Sequence, residues 1–333
     1  MLFQPAIIAL LLASAVCVAA MTAAAPFALE VIRRWDIASG SERQLMLERR
    51  TYLFSTLLAF VLWTQFAALL LFVFNADKMS VMFVGAMCAV GTLNVNPFGF
   101  PALMAQMLIF FFAAAWLAIN HVDNRAPDYP LVRIKYALLI ALLPLLALSF
   151  ALQLQYFLGL KADVITSCCG SLFSGEAKTI ASEASGMAPA PAMVLFYGTL
   201  AFAILAAGRQ AVRKCGGTLT AATGAAAFAA GITGVLSFVS LYVYEHPHHH
   251  CPFCILKPEY DFQGYWLYLP LFAATAASIG AGAVQPFAHV ASLREVVPAV
   301  SARLAALAAA GFALFAAIAT FMVLRSNLIL IEH

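Results

Sequence analysis

The chain has 333 residues, of which 64% are apolar and only 10% charged, with a formal net charge of +3. Fifteen acids and eighteen bases are too few to clothe a soluble domain of this size, but they suffice when most of the surface faces lipid. The charges form no basic tract, which excludes nucleic acid as a partner.

Charge-free apolar runs long enough to cross a bilayer recur at roughly 3–29, 52–76, 101–120, 136–160, 189–208, 218–244, 264–286 and 303–324. They are continuous and lack period-two alternation, so they predict helices and not a barrel. The expected fold is an all-α integral membrane protein with about eight transmembrane helices, forming one polytopic domain over 1–333. The first run has no basic residue before it and is read as an uncleaved span. Segment 31–50 is charged and partly amphipathic, and is expected to lie along the cytoplasmic surface. Met79–Leu93 is apolar but short for a span and ends in Asn94-Val95-Asn96-Pro97, which predicts an extra interfacial or re-entrant segment near 79–95.

Lys and Arg in short loops mark the cytoplasmic side. With the N-terminus outside, the inner side holds thirteen of the eighteen bases, Lys135 among them. The outer loops hold Lys78, Lys161, Lys178, Lys257 and Arg325. Counting Met79–Leu93 as a crossing would split the bases nine to nine and erase the bias. The expectation is therefore a multi-pass protein with both termini outside, in the periplasm if the membrane is a bacterial inner one. Cys88, Cys168, Cys169, Cys251 and Cys254 then share the outer side, where thiols tend to be oxidised.

Two outer loops, 161–188 and 245–263, carry most of this chemistry. The second contains His246-Pro247-His248-His249-His250-Cys251-Pro252-Phe253-Cys254. A Cys-x-x-Cys turn brings two sulfurs close enough for a disulfide or a shared metal ion, and His246, His248, His249 and His250 add imidazole ligands. The Cys-Pro-aromatic-Cys pattern resembles the active dithiol of thioredoxin-like oxidoreductases, over those four residues only. In the first loop, Cys168 and Cys169 are adjacent. A ring closed between neighbouring cysteines strains the peptide, so they suit a soft metal ion or two separate partners.

Cys88 is the odd thiol of five, so complete pairing on the outer side is impossible. Its neighbour Met87 offers a thioether, and thiolate with thioether is what Cu(I) favours. Neighbouring side chains on a helix point about 100° apart, so sharing one ion would require irregular backbone. The alternative is a small-residue helix with Cys88 simply buried. Tyr242, Tyr244, Tyr260, Tyr265, Trp266 and Tyr268 surround the His/Cys loop as an interfacial belt would.

No Asp, Glu, Lys, Arg or His lies near the middle of any predicted span, which disfavours ion-coupled transport and proton pumping. Covalent-haem, Walker and HExxH motifs are absent from the sequence. Three functions stay open. The first is handling of a thiophilic metal, copper or zinc, on Cys168, Cys169, Cys251 and Cys254 with the histidines, and on Cys88 and Met87. It would serve delivery to, or assembly of, an exported or respiratory metalloenzyme. The second is thiol–disulfide exchange, with Cys251, Cys254, Cys168 and Cys169 as the redox groups and a quinone or thioredoxin-like partner. The third is a structural subunit of a respiratory complex braced by disulfides. Whether the chain is an enzyme is not decided by its sequence.

Overall fold

The structure is a computed structural model that describes residues 4–161, 166 and 187–330. Cys168 and Cys169 lie outside the described residues. Among the described residues there is no strand, and eight helices are long and apolar enough to cross a membrane. They are α1 (Pro5–Arg34), α2 (Glu42–Lys78), α3 (Gly99–Asp123), α4 (Val132–Leu158), α5 (Pro189–Arg213), α6 (Gly217–Tyr244), α7 (Gln263–Val284) and α8 (Val296–Arg325). The protein is an all-α, multi-pass membrane protein.

The predicted surface segment 31–50 is not a separate element. Helix α1 runs on to Arg34 and α2 already begins at Glu42. Glu42–Arg50 is rich in Glu, Arg, Gln, Leu and Met, all good helix formers, so the helix continues past the point where apolar character stops. At 37 residues α2 is about 55 Å long, well beyond a hydrocarbon core of about 30 Å. Met79–Leu93 behaves as expected for a segment that does not span. It is a 3₁₀ turn (Met79–Met82), an irregular stretch and a five-residue helix (Ala89–Leu93).

The helices fall into two compact units. The first comprises Met1–Asn75, Asn96–Lys161 and Pro286–Val300 and is built on α1, most of α2, α3 and α4. Its core stacks Phe27 on Phe54 at 4.4 Å between ring centres, with the Tyr136 ring edge-on to Phe27 at 5.6 Å. Ser14 of α1 donates to the Gln153 carboxamide of α4 across 3.2 Å, so this glutamine joins two helices as interhelical polar groups do. At the α3–α4 turn, Lys135 forms an ion pair with Asp123 at 2.7 Å, and both side chains are completely enclosed. Asn120 and Asn124 accept two further Lys135 hydrogen bonds, and the second Asp123 oxygen accepts the Leu131 N–H. Lys135, expected as a loop charge, is thus a buried residue of α4.

The second unit comprises Ala76–Val95, Ala162–Gln285 and Ser301–His333. Gly217, Gly224 and Gly231 recur every seven residues on α6 and face α7, where side chains would not fit. A Cβ on Gly224 would meet Ser278 Oγ at 2.0 Å, and one on Gly217 would meet Gln285 Cβ at 2.6 Å. This is the small-residue packing by which membrane helices approach without a hydrophobic driving force. Near its end α6 widens into a π turn at Val235–Val239 before its last turn, Ser240–Tyr244.

Candidate metal centre

The second unit brings three cysteines together. Cys88, Cys251 and Cys254 place their sulfurs within 4.8 Å of one another. Cys88 and Cys251 are 0% exposed and Cys254 5%. Cys88 and Cys251 approach to 3.2 Å, too far for the 2.05 Å of a disulfide.

Cys88 reaches the cluster because its segment is irregular. Its own backbone is extended at φ −158°, immediately before the Ala89–Leu93 helix. The Asp77 carboxylate accepts the Ala89 N–H and so ties that helix to the end of α2. From the other side Thr166 clamps the segment: its N–H donates to the Val84 carbonyl at 3.0 Å and its hydroxyl to the Gly91 carbonyl at 2.9 Å.

Gly85 makes that clamp possible. Its φ is +85°, and a Cβ there would sit 2.0 Å from the Thr166 carbonyl oxygen. Gly85→Ala combines left-handed strain with a clash against backbone, and is expected to cost about 2–3 kcal/mol. Thermal unfolding in detergent measures the loss, and faster alkylation of Cys88 would accompany it. Unchanged unfolding and alkylation would mean that the clamp does not hold Cys88.

The Cys251–Cys254 turn is fixed by two tyrosines. The Tyr244 hydroxyl at the end of α6 donates to the Cys251 carbonyl at 2.6 Å, and Tyr268 of α7 donates to the Pro252 carbonyl at 2.7 Å. After the turn, Cys254–Leu256 is a 3₁₀ turn packed on Gly264, where a Cβ would meet Leu256 Cδ2 at 2.7 Å. Sequence reasoning assigned these tyrosines to an interfacial belt, because hydrogen bonds to backbone carbonyls leave no mark in the sequence. Removing one hydroxyl by Tyr268→Phe is expected to cost about 1–2 kcal/mol, since the Pro252 carbonyl loses its donor. The loss should appear as faster alkylation of Cys254, and an unchanged rate would contradict it.

The histidines do not join the sulfurs. Among the described residues, no imidazole nitrogen completes a group with two of the cysteines at the 4.8 Å spacing. His246 and His248 are exposed, with ring centres 6.0 Å apart, and His246 Nδ1 accepts the His248 N–H at 3.2 Å. His249 stacks on Tyr244 at 4.1 Å; burial, and then its neighbours His246 and His250, hold its pKa below the usual imidazole range. His250 Nδ1 lies 2.8 Å from the Leu236 carbonyl in the π turn. A carbonyl only accepts, so Nδ1 is the donor in that bond. Met87 is 72% exposed beside the enclosed Cys88.

The electrostatics favour the neutral form of the Cys251 thiol. The hydrogen bond with Cys254 pushes the Cys251 thiol well above the ordinary thiol range; the contact with Cys88 pulls it down, and burial adds to the rise. Several thiolates packed this closely repel one another unless a cation lies between them. A tetrahedral thiolate site with bonds near 2.3 Å sets its sulfurs about 3.8 Å apart. To meet that spacing Cys88 and Cys251, at 3.2 Å, would separate by about 0.6 Å.

No family model, curated protein or solved structure matches the chain. Its chemistry must be argued from these groups alone.

Proposed function

We propose that the protein binds a thiophilic metal ion, copper(I) or zinc, on Cys88, Cys251 and Cys254, for delivery to or assembly of an exported or respiratory metalloenzyme. The observation that carries this reading is the enclosure of three cysteine sulfurs within 4.8 Å of one another. Soft thiolates select such ions, and a water-excluding pocket strengthens their hold. Cys168 and Cys169 are the proposed source of further thiolate ligands. They follow Thr166 in the sequence by two and three residues. Met87 is proposed to offer its thioether to an approaching ion.

Two arguments support an outer-face centre. If each of the eight long apolar helices crosses once, the loops carrying Cys88, Cys168/Cys169 and Cys251/Cys254 share one side, and the thirteen-to-five division of bases favours the outer one. In a bacterial inner membrane that side is the periplasm. Protein purified without oxygen should carry about one equivalent of a transition metal, with its thiols protected from alkylation until the metal is chelated. Less than about a tenth of an equivalent, with freely reacting thiols, would contradict the reading.

The 3.2 Å approach of Cys88 to Cys251 also suits thiol–disulfide exchange. In that second reading the Cys88 thiolate attacks Cys251 of a Cys251–Cys254 disulfide. The Cys88–Cys251 bond forms and Cys254 leaves as a thiolate. Making the disulfide afresh from two thiols passes two electrons and two protons to an acceptor such as a quinone or a thioredoxin-like disulfide. Mass spectrometry after alkylation tests it: one redox state, unmoved by mild oxidant or reductant, would exclude exchange.

A further inference from the structure

We propose that His246 and His248 form a separate outer capture site, which takes the metal ion from solution before it passes to Cys88, Cys251 and Cys254. This rests on the thiolate-centre reading and adds how the centre is loaded.

Three observations carry it. The thiols are enclosed, so an ion in water has no open route to all three at once, whereas His246 and His248 are exposed. Their rings are already spaced for a shared ion. Bonds of about 2.0–2.1 Å to each nitrogen, plus roughly 1.2 Å from nitrogen to ring centre, put two imidazoles on one ion about 5–6.5 Å apart. The measured separation of 6.0 Å falls inside that range. Lastly, the pair lies three to eight residues before Cys251 and Cys254, in the same short loop. Between them, His250 is held through Nδ1 by the Leu236 carbonyl, which leaves Nε2 as its nitrogen outside that bond.

The ligand exchange balances without a redox partner. On capture the His246 Nδ1 lone pair leaves the His248 N–H and binds the ion, and that N–H turns to water. On transfer each imidazole is released neutral. Each cysteine that binds gives its thiol proton to solvent, so the ion keeps its charge state throughout. Imidazole is the weaker holder of a soft ion and thiolate the stronger, so transfer runs inward.

The test uses the full-length protein in detergent, metal-free and anaerobic, with Cd²⁺ as the probe. Cadmium thiolates absorb in the ultraviolet by sulfur-to-metal charge transfer, and imidazole complexes lack that band. At limiting Cd²⁺, His246→Ala/His248→Ala should load the thiolate band at least about fivefold more slowly and still reach its full height. In Cys88→Ser/Cys251→Ser/Cys254→Ser the band should fall sharply, and the weak Cd²⁺ binding that persists by equilibrium dialysis should drop further on adding the two histidine changes. An unchanged loading rate in the histidine variant, with the band intact, overturns the capture site and leaves the thiolate centre standing. Absence of the band from the unaltered protein overturns both.

Discussion

Cys88→Ser is expected to strip the bound ion from the protein while leaving the fold in place. The serine hydroxyl is close in size to the thiol but is a hard, weak ligand for copper(I) or zinc, so one of three strong bonds is lost. We expect metal affinity to fall at least about a hundredfold. Burying a hydroxyl in place of a thiol costs about 1–3 kcal/mol, too little by itself to unfold a domain of ordinary stability. Cys251→Ser and Cys254→Ser should behave alike. Cys215→Ser should not, because that residue is exposed and outside the cluster. Competitive titration against a chromophoric chelator reads the affinities. Equal affinities for Cys88→Ser and Cys215→Ser would remove Cys88 from the centre.

The second large effect is on stability. Lys135→Met leaves the Asp123 carboxylate in an enclosed site with its cation gone, which is expected to destabilise the protein by about 3–5 kcal/mol. Part of that cost is the loss of the Asn120 and Asn124 hydrogen bonds. The double change Lys135→Met/Asp123→Asn removes both charges and keeps an acceptor for the Leu131 N–H, so it should recover most of the loss. Thermal or denaturant unfolding in detergent compares the three proteins. A single variant as stable as the unaltered protein would show that the pair does not lock the α3–α4 turn.

The helices were legible because a bilayer demands long apolar runs, and such runs are visible one residue at a time. Where charge and helix part company, legibility failed. Glu42–Arg50, expected along the surface, is mostly exposed but belongs to the start of α2, and Lys135 looked like a loop cation and is buried against Asp123. The Lys135 misreading follows from treating charge as a boundary when a helix end can carry charge into a packed turn.

The site was half legible. The Cys-x-x-Cys turn announces itself by spacing, but Cys88 lies 163 residues before Cys251, and nothing local points from one to the other. What hinted at it was arithmetic, one thiol too many for pairing, together with the glycines and the broken helix around it. The hydrogen bonds of Tyr244 and Tyr268 to the turn, and the separation of the histidines from the sulfurs, are tertiary facts without a sequence signature.

The central claim, one ion held by the sulfurs of Cys88, Cys251 and Cys254, is tested most directly by X-ray absorption at the edge of the metal that co-purifies anaerobically. The account predicts a first shell dominated by sulfur, at about 2.3 Å for zinc. It also predicts loss of that shell when any one of the three cysteines becomes serine. A shell of nitrogen and oxygen alone, or a sulfur shell indifferent to Cys88→Ser, would contradict it.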